Sequence, residues 1–272
     1  MRATALLPIL ARFLEAARRV SKTRALTPIE RRLELAMRKV FRAQGAALTR
    51  RLARLRGRFP IQEAISPADW LPLFDAAALE TLRLFVDPID LAVGAALKAG
   101  ALAAIADTRA GMSFTLANPR AVTYLKQYGA KLVKGVDDTT RDYLRTIITQ
   151  GVDEGWSYGK MAKAITDRYE EFAVGRPQQH IDSRAHLIAI TESANGYEQG
   201  NRLVVQDLRD GGLEMVKSWL TVGDDLVSDG CQENQAEGWI PLDQAHSSGD
   251  QCPPRFPGCR CSELYQRKGT GR

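Results

Sequence analysis

The chain has 272 residues, 44% of them hydrophobic, which is enough for one large domain or two medium ones around a buried core. Its richest apolar run, residues 91–105, is interrupted by Gly94, Lys98 and Gly100, so no membrane span is expected. Arg18 and Arg19 stand where a secretory signal would need a small-residue cleavage site, so a cytoplasmic origin is expected.

The formal net charge is +6, and ten Lys and Arg residues crowd positions 31–58 with Glu30 and Glu34 as the acids beside them in sequence. That asymmetry admits an acidic partner, either nucleic acid or an acidic protein surface, and Arg50, Arg51 and Arg54 are its candidate contacts. The plainer reading is a solvated helix face. Only Phe41 and Phe59 are near, so base stacking is not expected.

In chain order, residues 7–20 carry Leu7, Leu10, Leu14 and Ala17 at helical spacing. Thr27, Pro28 and Glu30 read as the start of a second helix, which Gly57 and Pro60 end. Ser66, Pro67 and Asp69 start another, Asp87 and Pro88 punctuate it, and residues 89–106 form an Ala-rich apolar helix. Residues 111–117 are a linker or a brief strand. Asn118 and Pro119 open a helix that Gly135 closes, Asp137 and Asp138 cap the next, and Ser157 caps one running through Tyr169. After a loop at residues 175–177, a long helix spans about 180–210 and Gly211 and Gly212 end it. Residues 215–222 read as a strand with Val216, Ser218 and Leu220 on one face and Met215, Lys217 and Trp219 on the other. Short elements and turns follow, and all four cysteines (Cys231, Cys252, Cys259 and Cys261) lie among them.

Taken in order, these residues form a recognisable set. Arg184 comes first, then Ile188, Ala189, Ile190, Thr191 and Glu192, then Asn195 and Gly200. Lys217, Ser218 and Trp219 follow, with Asp224, Asp225, Leu226 and Val227. Gly238, Trp239, Ile240 and Pro241 precede the closing Pro257, Gly258, Cys259, Arg260 and Cys261. The set resembles the phage head morphogenesis domain, the Mu protein F-like minor head proteins of tailed bacteriophages and prophages, over residues 118–265. The resemblance implies a structural, non-enzymatic protein of virion assembly, located in the capsid interior or at the portal vertex after assembly in the host cytoplasm. Its implied partners are the portal protein and other capsid or scaffold proteins, with non-specific DNA as a further one. The structural motif is carried by Arg184, Thr191, Glu192, Lys217, Trp219, Asp225, Pro257 and Arg260. The expected architecture is mainly α: a basic helical region over residues 1–115, a head-morphogenesis-like domain over 116–265 ending in a small α+β, loop-rich cap, and a tail over 266–272.

Three chemical readings of the C-terminal part stay open. Cys231, Cys252, Cys259 and Cys261 supply four thiols for a closed structural zinc site, Cys252 standing in for the cysteine that many relatives carry at Ser228. His246 is a spare ligand. Relatives commonly have a His where this chain has Phe256. Reduced thiols packed in a small subdomain, or a disulfide, are the rival readings. Glu192 is expected to pair with Arg184, Lys217 or Arg260 and hold two segments in register. Glu192, Asp224, Asp225 and His246 are the candidates for a metal-dependent hydrolase or nuclease, which ranks behind a DNA-binding accessory protein as an alternative. The sequence has no Walker-type loop, nucleophile elbow or His-Glu-x-x-His run.

Overall fold

The computed structural model describes residues 3–55, 67–175 and 181–269. The element order is α1 (Ala3–Leu55), α2 (Pro67–Thr108), α3 (Pro119–Asp153), α4 (Tyr158–Val174), α5 (Arg184–Asp210), β1 (Met215–Leu220), α6 (Asp229–Ala236), β2 (Ile240–Pro241) and β3 (Ser262–Arg267). The expected class, mainly α with a small α+β end, is what is found. Two compact units are built from discontinuous segments: one from residues 1–32, 91–125 and 188–272, the other from 33–90 and 126–187. Gly57, Pro60, Ser66 and His180, at which helix ends were expected, lie outside the described residues.

Three expected helix breaks are absent. Pro28 lies inside α1, Pro88 inside α2, and Gly135 inside α3. A mid-helix proline costs about 3 kcal/mol, chiefly the lost bond to the carbonyl four residues back. Around Pro28, Leu26 is buried with Ala96 and Tyr197, and Ile29 packs on the same cluster, so continuing the helix keeps both in the core. The carbonyl left without a donor belongs to Arg24, an exposed residue. At Pro88 the same logic holds: Phe85 and Ile89 are buried on either side, and the orphaned carbonyl is that of exposed Leu84. Gly135 costs only about 1 kcal/mol in a helix, and the buried face of Val136, Thr140, Leu144, Ile147 and Ile148 carries α3 past it. Asp137 is therefore no cap; it accepts from Gln44 at 3.1 Å.

Other local signals hold. Asn118 Oδ1 accepts the Arg120 backbone N–H at 2.9 Å where α3 begins, and Ser157 Oγ accepts that of Lys160 at 3.3 Å where α4 begins. Gly212, at φ 90°, turns the chain out of α5. Residues 111–117 form no strand.

In the unit of residues 33–90 and 126–187, the core is aromatic. Phe41 meets Phe85 edge-on at 5.7 Å and Phe172 at 5.4 Å. The Arg184 guanidinium, at the start of α5, lies 4.6 Å from the Phe172 ring centre, 5.2 Å from that of Phe41 and 5.8 Å from that of Tyr143. It donates to Thr140 Oγ1 and the Val136 carbonyl on α3, both at 3.0 Å. Burial lowers its pKa to about 10.

In the other unit, α2 and α5 approach through small residues. A Cβ on Gly200 would stand 1.9 Å from the Leu97 carbonyl oxygen, and one on Gly100 would stand 1.9 Å from that of Tyr197. By length and composition α2 is apolar enough to cross a membrane. Here Ala96, Leu97, Ala101 and Ala104 are instead buried in the protein core, the burial expected of a core helix. The sheet order is β2-β1-β3, antiparallel throughout, with Lys217 opposite Tyr265 and Trp219 opposite Glu263. Both faces of β1 are largely covered, so the expected alternation separates two packed faces, not a buried face from a wet one.

Candidate functional site

The face of β1 and β3 that carries Lys217, Trp219 and Glu263 meets a chain of polar groups, buried except at Glu237. Glu263 Oε1 lies 3.0 Å from His246 Nε2, and Glu237 Oε2 lies 3.1 Å from His246 Nδ1. Trp219 stands edge-on to the His246 ring at 5.1 Å. The Glu263 backbone N–H donates to Glu198 Oε2 on α5 at 3.1 Å, and Glu198 Oε1 accepts Lys22 Nζ from α1 at 2.7 Å. Lys22 Nζ also donates to the Cys261 carbonyl. Burial pushes the Glu263 carboxyl up, opposed by the bond from His246. Burial likewise pushes the Lys217 ammonium down, opposed by the Glu263 charge, and Lys217 Nζ donates to the Gln251 carbonyl at 2.6 Å.

The residues singled out in the sequence fall into distinct places. Thr191 Oγ1 accepts the Gly258 backbone N–H at 2.9 Å, which fixes the Pro257–Gly258 turn onto α5. Glu192 is buried, and its charge adds to the burial that raises the Tyr124 phenol. Arg260 pairs with Asp224. The bonds seen for Arg184, Lys217 and Arg260 thus run to Thr140 and Val136, to Gln251 and to Asp224. Asp225 and Pro257 are exposed. Glu192, Asp224, Asp225 and His246 do not converge into a ligand set among the described residues. They are also absent from the lining of a cavity of about 590 Å³ bordered by Arg18, Asp107, Met215, Trp239 and Tyr265.

Three of the four cysteines come together. The sulfurs of Cys231, Cys259 and Cys261 lie within 4.8 Å of one another, all three buried, beneath Trp219 and Val227. The closeness of the two thiols holds the Cys259 pKa below the usual thiol value and pushes that of Cys261 up. Cys252, expected as the fourth, is elsewhere. It faces Arg202, Glu198 and Glu263, and burial raises it to about 11.

The basic segment of α1 is partly neutralised. Arg50 and Arg51 both reach Glu80 on α2, at 2.8 and 2.6 Å, and Arg42 bonds Glu170 on α4 at 2.8 Å. These acids are far away in sequence, so counting neighbours along the chain missed them. Arg54 is exposed.

Sequence reasoning also missed Lys22, Glu198, Glu237 and Glu263. One signal was available: Thr191, Asn195, Glu198 and Arg202 recur at helical spacing along α5 between small and apolar residues, the pattern of a buried polar stripe. No curated protein and no solved structure matches the chain. A family model does: residues 142–264, which hold the whole ordered motif set from Arg184 to Cys261, match the family described as Phage Mu protein F like protein, the family of the head morphogenesis resemblance.

Proposed function

We propose that this is a structural minor head protein of a tailed phage or prophage, acting in capsid assembly or at the portal vertex by docking on portal, capsid or scaffold proteins. The observation that carries the reading is the family match over residues 142–264. The chemistry inside that stretch supports a scaffold over a hydrolase. Charged groups there are spent on pairs: Glu263 and Glu237 on His246 and Asp224 on Arg260 within the stretch, and Glu198 on Lys22 of α1. A hydrolytic site needs such groups converging on an accessible reacting atom, whereas the His246 side chain is fully buried. In this reading contact with packaged DNA rests on Arg54, because Arg50 and Arg51 share Glu80.

The test is mass spectrometry of purified virions and of proheads from the phage that encodes the chain. The protein is expected in one or both at low copy number. Its absence from both, in lysates where it is expressed, would sink the structural reading.

A further inference from the structure

We propose that Cys231, Cys259 and Cys261 bind a structural zinc ion whose fourth coordination position is filled by Ser228 Oγ, and that Cys252 takes no part. The geometry begins with the three buried sulfurs lying within 4.8 Å of one another. At a Zn–S distance of about 2.3 Å, tetrahedral thiolates stand about 3.8 Å apart, so the three thiols need only close slightly around an ion. Three sulfurs leave one corner of the tetrahedron open.

Ser228 is the residue assigned to that corner, on its own hydrogen bonding and its spacing from Cys231. It is the N-cap residue of α6, a position where a serine side chain ordinarily accepts a backbone N–H of the first turn. Here it makes no such bond, and its buried Oγ has no hydrogen-bond partner. That leaves a buried oxygen lone pair unused on the residue three positions before Cys231. Ser228-Asp229-Gly230-Cys231 has the two-residue spacing usual for paired zinc ligands. The Cys231 N–H donates to the Ser228 carbonyl at 3.0 Å, so the pair is held on one turn. The second pair, Cys259 and Cys261, is held by the Cys259 N–H to the Phe256 carbonyl at 3.0 Å and by Lys22 on the Cys261 carbonyl.

The surroundings suit thiolates. Trp219 packs on the three cysteines, and its buried Nε1 has no hydrogen-bond partner. Donors of this kind orient a metal's ligands. The Arg255 guanidinium packs on Gly230, 2.9 Å from where a Cβ there would stand, which brings a positive charge to the edge of a site whose three thiolates outweigh a divalent ion. Soft sulfur ligands in a closed, tetrahedral arrangement select zinc over the hard divalent cations. Binding joins the start of α6 to the turn before β3.

The test uses the full chain purified reduced and without chelator. Metal analysis is expected to give about one zinc per chain, and cobalt exchanged into the site should show the intense visible bands of tetrahedral, thiolate-rich coordination. Cys252→Ser should leave stoichiometry and spectrum unchanged. Ser228→Cys should add a fourth thiolate, visible as stronger sulfur-to-cobalt charge transfer, and tighten zinc by about tenfold or more. This gain-of-ligand variant decides the matter even if Cys259→Ser does not fold. The proposal is overturned by any of four results: no zinc in the protein with no uptake of cobalt, copper or iron in place of zinc, loss of metal in Cys252→Ser, or a Ser228→Cys spectrum identical to that of the parent.

Discussion

Lys22 on α1 and Glu198 on α5 sit 2.7 Å apart with less than a tenth of either side chain exposed. The pair joins residues separated by 176 positions and is not isolated, since Glu198 also receives the Glu263 and Asn201 N–H groups. Removing one partner of a buried pair leaves an uncompensated charge and typically costs 3–5 kcal/mol, whereas replacing both can be nearly neutral. Lys22→Met is therefore expected to destabilise by roughly 3 kcal/mol, and Lys22→Met with Glu198→Gln to recover much of that loss. Urea unfolding of both variants measures the coupling. A Lys22→Met shift indistinguishable from zero would mean that the pair does not hold α1 to α5.

Gly200 and Gly135 are both inside helices, yet opposite outcomes are expected from replacing each with alanine. Alanine gains about 1 kcal/mol in helix propensity over glycine. At Gly135 nothing lies within 4 Å of the added Cβ, so Gly135→Ala should stabilise by about 0.5–1 kcal/mol. At Gly200 the Cβ would stand 1.9 Å from the Leu97 carbonyl and 2.8 Å from the Ala101 nitrogen, both backbone atoms that cannot rotate away. Gly200→Ala should force the helices apart and cost roughly 1–3 kcal/mol. Thermal melts of the two variants side by side check this; equal shifts in the same direction would refute the close approach.

How far the sequence could be read follows from the range of each interaction. Caps are local, and Asn118 and Ser157 were identifiable because their partners lie two or three residues on. Pro28, Pro88 and Gly135 are local signals too, but they misled: each carries a cost of a few kcal/mol at most, and the burial of Leu26, Phe85 and Val136 beside them outweighs it. The resemblance gave the motif residues without their partners. Arg184 reads as a candidate ion-pair cation, whereas its environment is a box of Phe41, Tyr143 and Phe172, assembled from three different helices. Among the cysteines, Cys252 was the remaining thiol that could replace the one relatives carry at position 228. Only the fold shows Cys252 against Arg202 and Ser228 beside Cys231.

Glu30 gives the chain a pH dependence. Burial raises its pKa from 4.5 to about 7, with Lys22 opposing. Folding then favours the protonated carboxyl. Its contribution is fully present below about pH 4.5 and is lost as the pH rises through 7. Glu30→Gln should be more stable than the parent by about 1–2 kcal/mol at pH 8, after allowance for the side chain's partial exposure, and indistinguishable from it at pH 4. The difference between the two unfolding curves across this range isolates the group from every other titration. A constant difference at all pH values would show that Glu30 is not the source.

The basic segment makes the last prediction, and Glu80 decides it. Each phosphate contact to B-DNA contributes about 0.9 to the slope of log affinity against log salt. Were Arg50, Arg51 and Arg54 all free, replacing them with alanine would remove a slope of about 2.7. Arg50 and Arg51 are instead bound to the same carboxylate, and their bonds hold the Glu80 pKa below its usual value. Arg54→Ala alone should therefore lower the slope by about 1, with Arg50→Ala and Arg51→Ala adding little. Glu80→Gln releases both guanidinium groups, so it should strengthen DNA binding at low salt and steepen the slope, and in that background Arg50→Ala and Arg51→Ala should each acquire an effect. Fluorescence anisotropy with a short duplex at rising salt reads all of these. If Glu80→Gln changes neither affinity nor slope, the arginines of α1 do not face nucleic acid, and their charge serves an acidic protein surface instead.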